Sequence, residues 1–133
     1  MKRESLDTNV LLRLTLKDIP QQFEQAKKLF ERPGIRFVVS DTAVIEYVFV
    51  LERHYLLTRY NIARMVEAVL SLRSIESNRK VLQAALDVFE AQSALSFEDC
   101  YLSASAEAGG ATPLWTFDKT LAKKASAAQT PPA

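Results

Sequence analysis

The chain has 133 residues, a length that favours a single domain with one hydrophobic core. Its hydrophobic fraction of 48% and charged fraction of 25% are those of a globular protein and exclude a largely disordered chain. The formal net charge of +1 comes from 17 basic and 16 acidic residues, so any binding of nucleic acid must depend on local segregation of charge.

Cysteine usage and hydropathy predict a cytoplasmic protein with no membrane partner. The lone Cys100 has no partner for an intramolecular disulfide, and we expect it in the core. The only histidine, His54, is expected to be a surface residue or a structural residue with its hydrogen bonds satisfied. No stretch has the pattern of a signal peptide, and none approaches the roughly 20 apolar residues of a membrane span.

Predicted strands and helices alternate along the chain, on the basis of apolar periodicity and of capping and turn residues. In order, they are a strand over residues 4–8, a helix begun near Asn9, a helix from Pro20 that stops at Pro33-Gly34, a strand over 35–40, helices over 42–55 and 59–72, a short strand over 74–77, helices over 79–92 and 97–108, a strand over 113–117 and a short helix over 118–125. The predicted helix caps are Ser40 or Asp41, Thr58, Asn78 and Ser96.

This alternation predicts an α/β fold with a parallel sheet covered on both faces. The domain is expected to cover residues 1–125. Residues 126–133 are small, polar and rich in proline, so they are predicted to form a flexible C-terminal tail.

Four carboxylates lie where a parallel sheet would place a ligand, outside the carboxyl ends of its strands. Asp7 ends the first predicted strand, and Asp118 follows the last one. Asp99 lies in the first turn of the helix over 97–108. Glu46 is the only charged residue of an otherwise apolar helical window and has no basic residue within four positions, so we expect it to be buried and to need a partner.

A structural role, helix capping, is the alternative interpretation of these carboxylates. Asp7 and Asp118 suit helix N-caps, and Asp99 stands three residues after Ser96, which is the spacing of a capping box. Capping does not explain Glu46. If the four converge, mutual repulsion raises their pKa values unless a cation binds, and an all-oxygen set without a histidine pair or cysteine cluster favours Mg²⁺ or Mn²⁺.

Four segments stand in order along the chain: "LDTNVLLRL", "VVSDTAVIEYVFVL", "SFEDCYLSASA" and "LWTFDKTL". They resemble the four acidic motifs of PIN-domain ribonucleases, in particular VapC-type toxins of bacterial toxin–antitoxin pairs. The resemblance runs from Leu6 to about Lys124 and implies a three-layer α/β/α fold with a central parallel sheet of four or five strands. It places the catalytic, metal-binding residues at Asp7, Glu46, Asp99 and Asp118, with Asn9 and Thr116 as supporting residues.

The resemblance implies a divalent-metal-dependent endoribonuclease that cleaves RNA, has a small cognate antitoxin protein and forms a homodimer. The candidates for contacts to flanking phosphates are Arg13, Arg79, Lys119 and Lys123, although the sequence favours a solvated surface role for each of them. Many relatives have an acidic residue where this chain has Ser96 and end in an apolar strand where it has "KKASAAQTPPA". A non-catalytic or degenerate protein-interaction module therefore stays open. A haloacid dehalogenase phosphatase is disfavoured, because that chemistry needs an aspartate at the position of Asn9.

Overall fold

A computed structural model describes residues 1–133. The chain divides into two compact units, Met1–Asn78 and Arg79–Ala133. None of the helices has both the length and the apolar character needed to cross a membrane.

The first unit contains a parallel sheet of three strands in the order β1-β2-β3. Lys2 lies opposite Ile35, and Phe37 lies opposite Ile75. The elements of this unit are β1 (Lys2–Ser5), α1 (Thr8–Leu16), α2 (Pro20–Phe30), β2 (Ile35–Val38), α3 (Asp41–Arg53), α4 (Arg59–Leu70) and β3 (Ile75–Glu76).

The first strand ends earlier than the sequence predicts. β1 stops at Ser5, although the Leu6 N–H still donates to the Val38 carbonyl at 3.0 Å. Asp7 then adopts an extended conformation as the N-cap of α1, and the helix begins at Thr8. The sequence predicts a helix begun near Asn9, and Asn9 lies in its first turn.

The next elements follow their local signals. α2 begins at Pro20 as predicted, and the chain turns at Gly34, whose φ of +72° is one that glycine adopts without strain. β2 is two residues shorter than predicted because Ser40 becomes the N-cap of α3. The Ala43 N–H donates to the Ser40 hydroxyl at 3.1 Å.

Buried apolar side chains from the sheet and the helices form the core of the first unit. Phe37 of β2, Leu11 of α1 and Val48 of α3 are almost fully buried. Tyr47 is buried as well, and its hydroxyl lies 2.8 Å from the Thr15 hydroxyl. Burial raises the pKa of Tyr47, and the hydrogen bond to Thr15 opposes that rise.

The second unit contains a parallel pair of strands and three helices. Its elements are α5 (Arg79–Ala91), α6 (Phe97–Ala108), β4 (Leu114–Trp115), α7 (Lys119–Lys124) and β5 (Ala128–Gln129). Leu114 lies opposite Ala128. The buried side chains include Phe89 and Phe97, which meet edge to face with 5.5 Å between ring centroids, and Cys100, which lies in the core as predicted.

The segment predicted as a flexible tail contains β5, and Ala127 and Ala128 are buried. The strand over 113–117 is also shorter than predicted, since β4 covers two residues. The α/β class is confirmed. A single sheet of four or five strands stays a prediction, because the first unit has a sheet of three strands and the second has a pair.

Candidate functional site

Asp7 is the first of the four predicted ligands, and the start of α1 orients it. Its Oδ1 accepts a hydrogen bond from the Thr8 N–H at 2.7 Å. The positive end of the helix dipole favours a negative charge at this place. Asp7 is exposed, and its second carboxylate oxygen has no hydrogen-bond partner within the chain. Capping therefore leaves one oxygen of Asp7 available to a ligand.

Glu46 lies at the surface of α3, so the prediction that it is buried is wrong. Thr42, Glu46 and Phe49 follow one another at helical spacing along the exposed side, and Phe49 is 51% exposed. The buried side of the helix carries Val44, Tyr47 and Val48. Because α3 is apolar nearly all round, its sequence does not show which side the rest of the unit covers.

Thr8 joins these two carboxylates, and sequence reasoning missed it. Its side chain is buried, and its hydroxyl donates to the Ala43 carbonyl at 2.9 Å. The Oε2 atom of Glu46 lies 3.4 Å from the same hydroxyl. Since a hydroxyl has one proton to donate, the Ala43 bond takes it and the Glu46 contact is the weaker one. The signal in the sequence was the position of Thr8, a polar residue between Asp7 and the apolar part of α1.

Asp99 has a free carboxylate at the start of α6. Its backbone N–H donates to the Ser96 hydroxyl at 3.2 Å, which makes Ser96 the N-cap as predicted. The reciprocal bond of a capping box, from the Ser96 N–H to the Asp99 carboxylate, is absent. The capping explanation therefore accounts for Ser96, and the half-buried Asp99 carboxylate makes no capping bond.

Asp118 and Thr116 form the turn that leads into α7. Asp118 is the N-cap, and its Oδ1 accepts from the Leu121 N–H at 3.0 Å. The Thr116 hydroxyl accepts from the Asp118 N–H, also at 3.0 Å. Thr116 thus holds the backbone of Asp118 in place, while Asp118 itself is exposed.

The ligand chemistry of the four carboxylates suits a hard divalent cation. The ion pairs of the structure involve other acidic residues, so no basic side chain neutralises Asp7, Glu46, Asp99 or Asp118. Each retains a carboxylate oxygen without a hydrogen bond. Two lie in each unit, and neither unit contains a group of three or more histidine, cysteine or acidic side chains that could hold a metal ion. The structure links Asp7 to Glu46 through Thr8, and no hydrogen bond joins Asp99 to Asp118.

Asn9 and Arg13 face a cavity of about 320 Å³ between α1 and α2, where Gln22 and Gln25 also contribute to the wall. Arg13 makes an ion pair with the adjacent Asp18 at 3.2 Å. Its charge is therefore compensated within the chain, which weakens the expectation that it binds a phosphate. His54 is exposed, as predicted.

Comparison with known proteins identifies one family. The model of the PIN domain matches residues 5–127, which include all four carboxylates. No curated protein matches the chain.

Proposed function

Since the chain belongs to the PIN domain family, whose members are generally nucleases that need divalent metals, we propose that it is a metal-dependent endoribonuclease. The substrate is RNA, in single-stranded or looped form, and the cofactor is Mg²⁺ or Mn²⁺. The observation that carries the proposal is the arrangement of Asp7, Thr8 and Glu46. Two carboxylates from distant parts of the sequence contact Thr8, Asp7 through the backbone N–H and Glu46 through the hydroxyl, and no cation of the protein compensates them.

In this proposal Asp7, Glu46, Asp99 and Asp118 hold the metal through oxygen atoms, which are the ligands that Mg²⁺ and Mn²⁺ prefer. A bound divalent cation polarises the phosphodiester and lowers the pKa of water. Hydrogen bonds within the chain orient the carboxylates. The Thr8 and Leu121 N–H groups each fix one oxygen of an aspartate and leave the second for the metal. Thr116 and Asn9 are the proposed supporting residues of the site.

In this proposal the metal links the four carboxylates to the phosphodiester that is cleaved. A carboxylate without metal repels a phosphate that is brought next to it. A divalent cation reverses this repulsion because it is attracted to the carboxylates and to a phosphate alike. We therefore expect RNA cleavage to depend completely on the divalent cation and to be abolished by a chelator.

We further propose that this ribonuclease is the toxin of a type II toxin–antitoxin pair, in which a small antitoxin protein blocks the site and the toxin forms a homodimer. The support is the resemblance of its four acidic segments to those of VapC-type toxins. Induced expression alone should arrest growth, and co-expression of the neighbouring small open reading frame should restore it. Unimpaired growth in both cases would contradict the toxin assignment.

A second candidate is a degenerate PIN-like module that binds a protein and cleaves nothing. The observation in its favour is that Asp7 and Asp118 both cap helices, so folding alone gives a reason for these two residues. This candidate predicts that the chain does not bind Mn²⁺ and that removing the charge of Asp7 changes nothing but stability.

The test is RNA cleavage by the purified chain with Mg²⁺ or Mn²⁺, with a chelator, and with the variant Asp7→Asn. Asparagine caps a helix about as well as aspartate but lacks the charge, so the fold is retained and the metal is lost. The matched control is Asp87→Asn, at an exposed position of α5 where the carboxylate contacts Gln83. We expect cleavage by the wild type and the control only. Equal activity in Asp7→Asn would point to a contaminating ribonuclease and contradict the proposal.

A further inference from the structure

Two large aromatic side chains lie exposed on either side of Thr116. Trp115 is 53% exposed, and Phe117 is 86% exposed. Thr116 between them is half-buried, and its N–H donates to the Gln129 carbonyl at 3.0 Å, so the pairing of β4 with β5 extends to this residue. Exposed and half-buried residues alternate from Leu114 to Phe117, so Trp115 at the end of β4 and Phe117 in the bend that follows are both on the exposed side of this segment.

A basic helix follows this aromatic pair directly. α7 carries Lys119, Lys123 and Lys124, all of them exposed and none of them in an ion pair. Lys119 and Lys123 stand four residues apart and therefore share one side of the helix. The chain has a net charge of only +1, so this run of unpaired lysines is the kind of local segregation that binding of a polyanion requires.

The aromatic pair also adjoins a proposed metal ligand. Asp118 comes immediately after Phe117, and Thr116 holds its backbone. A nucleotide whose phosphate lies near Asp118 would have its base within reach of the neighbouring aromatic rings. Aromatic side chains stack on unpaired bases of any sequence, and flanking lysines neutralise the phosphates.

We propose that Trp115 and Phe117 form a stacking platform for the bases of single-stranded RNA next to the bond that is cleaved, and that Lys119 and Lys123 contact the flanking phosphates. The proposal rests on the proposed ribonuclease function and extends it to substrate binding. The charge of α7 favours RNA over an apolar protein surface, because burying Lys119 and Lys123 against such a surface would leave their charges uncompensated.

The chain supplies its own probe, because Trp115 is its only tryptophan. A short oligoribonucleotide is titrated into the metal-free chain, where the proposed metal-dependent ribonuclease cannot cleave it, while tryptophan fluorescence is recorded. Stacking should quench the fluorescence. Phe117→Ala should raise the dissociation constant roughly fivefold or more, as expected for the loss of one base–aromatic contact. Lys123→Gln should reduce the slope of log affinity against log salt by about 0.7.

Tyr60→Ala is the matched control, since Tyr60 is 62% exposed on α4 and is an aromatic residue outside the platform. Its affinity for the oligonucleotide should equal that of the wild type. Unquenched fluorescence, or equal affinities for Phe117→Ala and Tyr60→Ala, would overturn the platform. The same holds if Phe117→Ala dissociates a dimer in sedimentation and leaves RNA binding intact, because the patch would then be an interface between copies.

The titration contains no metal and measures no cleavage, so the two proposals can fail separately. A chain that binds the oligonucleotide through Phe117 but never cleaves RNA with Mg²⁺ or Mn²⁺ supports the platform and contradicts the ribonuclease. A chain that cleaves RNA but shows no contribution of Phe117 to binding supports the ribonuclease and contradicts the platform.

Discussion

Replacing Thr8 by valine tests the contact between α1 and α3. Valine keeps the size and the branched shape of threonine, so the substitution leaves no cavity and removes only the hydroxyl. The bond to the Ala43 carbonyl, 2.9 Å long and buried, is lost. A hydrogen bond of this kind contributes about 0.5–1.5 kcal/mol net. The Ala43 carbonyl also lies in the first turn of α3, where the helix backbone still offers it a donor, so the loss should stay within this range.

We therefore expect Thr8→Val to lower the free energy of unfolding in urea by about 1 kcal/mol and the thermal midpoint by about 3–5 °C. Thr42→Val is the control, because Thr42 is exposed on α3 and the same change there should be nearly neutral. In the proposed ribonuclease, the variant should also weaken Mn²⁺ binding about tenfold, since Thr8 positions Asp7 and Glu46. Equal stabilities of Thr8→Val and Thr42→Val would refute the argument from the Thr8 hydroxyl.

The remaining predictions concern capping, packing and pH. Asp118→Ala should lower the free energy of unfolding by about 1 kcal/mol because α7 loses its cap. Asp118→Asn should keep the thermal midpoint of the wild type and lose Mn²⁺ binding in calorimetry. Equal thermal midpoints for the two variants would contradict the capping role. Phe89→Ala should lower the free energy of unfolding in urea by about 3–5 kcal/mol, because this fully buried ring packs edge to face on Phe97. A decrease of less than about 1 kcal/mol would contradict that packing. Burial raises the pKa of Tyr47, so its stabilising contribution is fully present below the unfolded pKa of about 10 and is lost as pH rises through the folded pKa. Stability measured across this alkaline range should fall less steeply in Tyr47→Phe, and identical pH profiles would count against the argument.

Helix starts were predictable because they depend on a few neighbouring residues. Ser40, Thr58 and Ser96 each accept a hydrogen bond from a backbone N–H three residues later, as their sequence positions predict. Pro20 likewise begins α2. The Asn78 side-chain amide donates to Asp41 at 3.3 Å, and a contact so distant in sequence leaves no local signal.

Features that depend on distant partners were not predictable. The exposure of Glu46 depends on which side of α3 the other elements cover, and an apolar helix does not encode that choice in its own sequence. β5 consists of an alanine and a glutamine, which have little preference for strands, and it forms because it pairs with β4.

The proposed assignment of Asp7, Glu46, Asp99 and Asp118 as ligands of a catalytic divalent metal is tested most directly by a crystal structure of the chain with Mn²⁺. Anomalous scattering then locates the ion without regard to activity. We expect a peak bound by oxygen atoms of Asp7, Glu46, Asp99 and Asp118 at roughly 2.0–2.3 Å, and no such peak in Asp7→Asn. An ion bound elsewhere, or carboxylates too far apart to share one, would contradict the account.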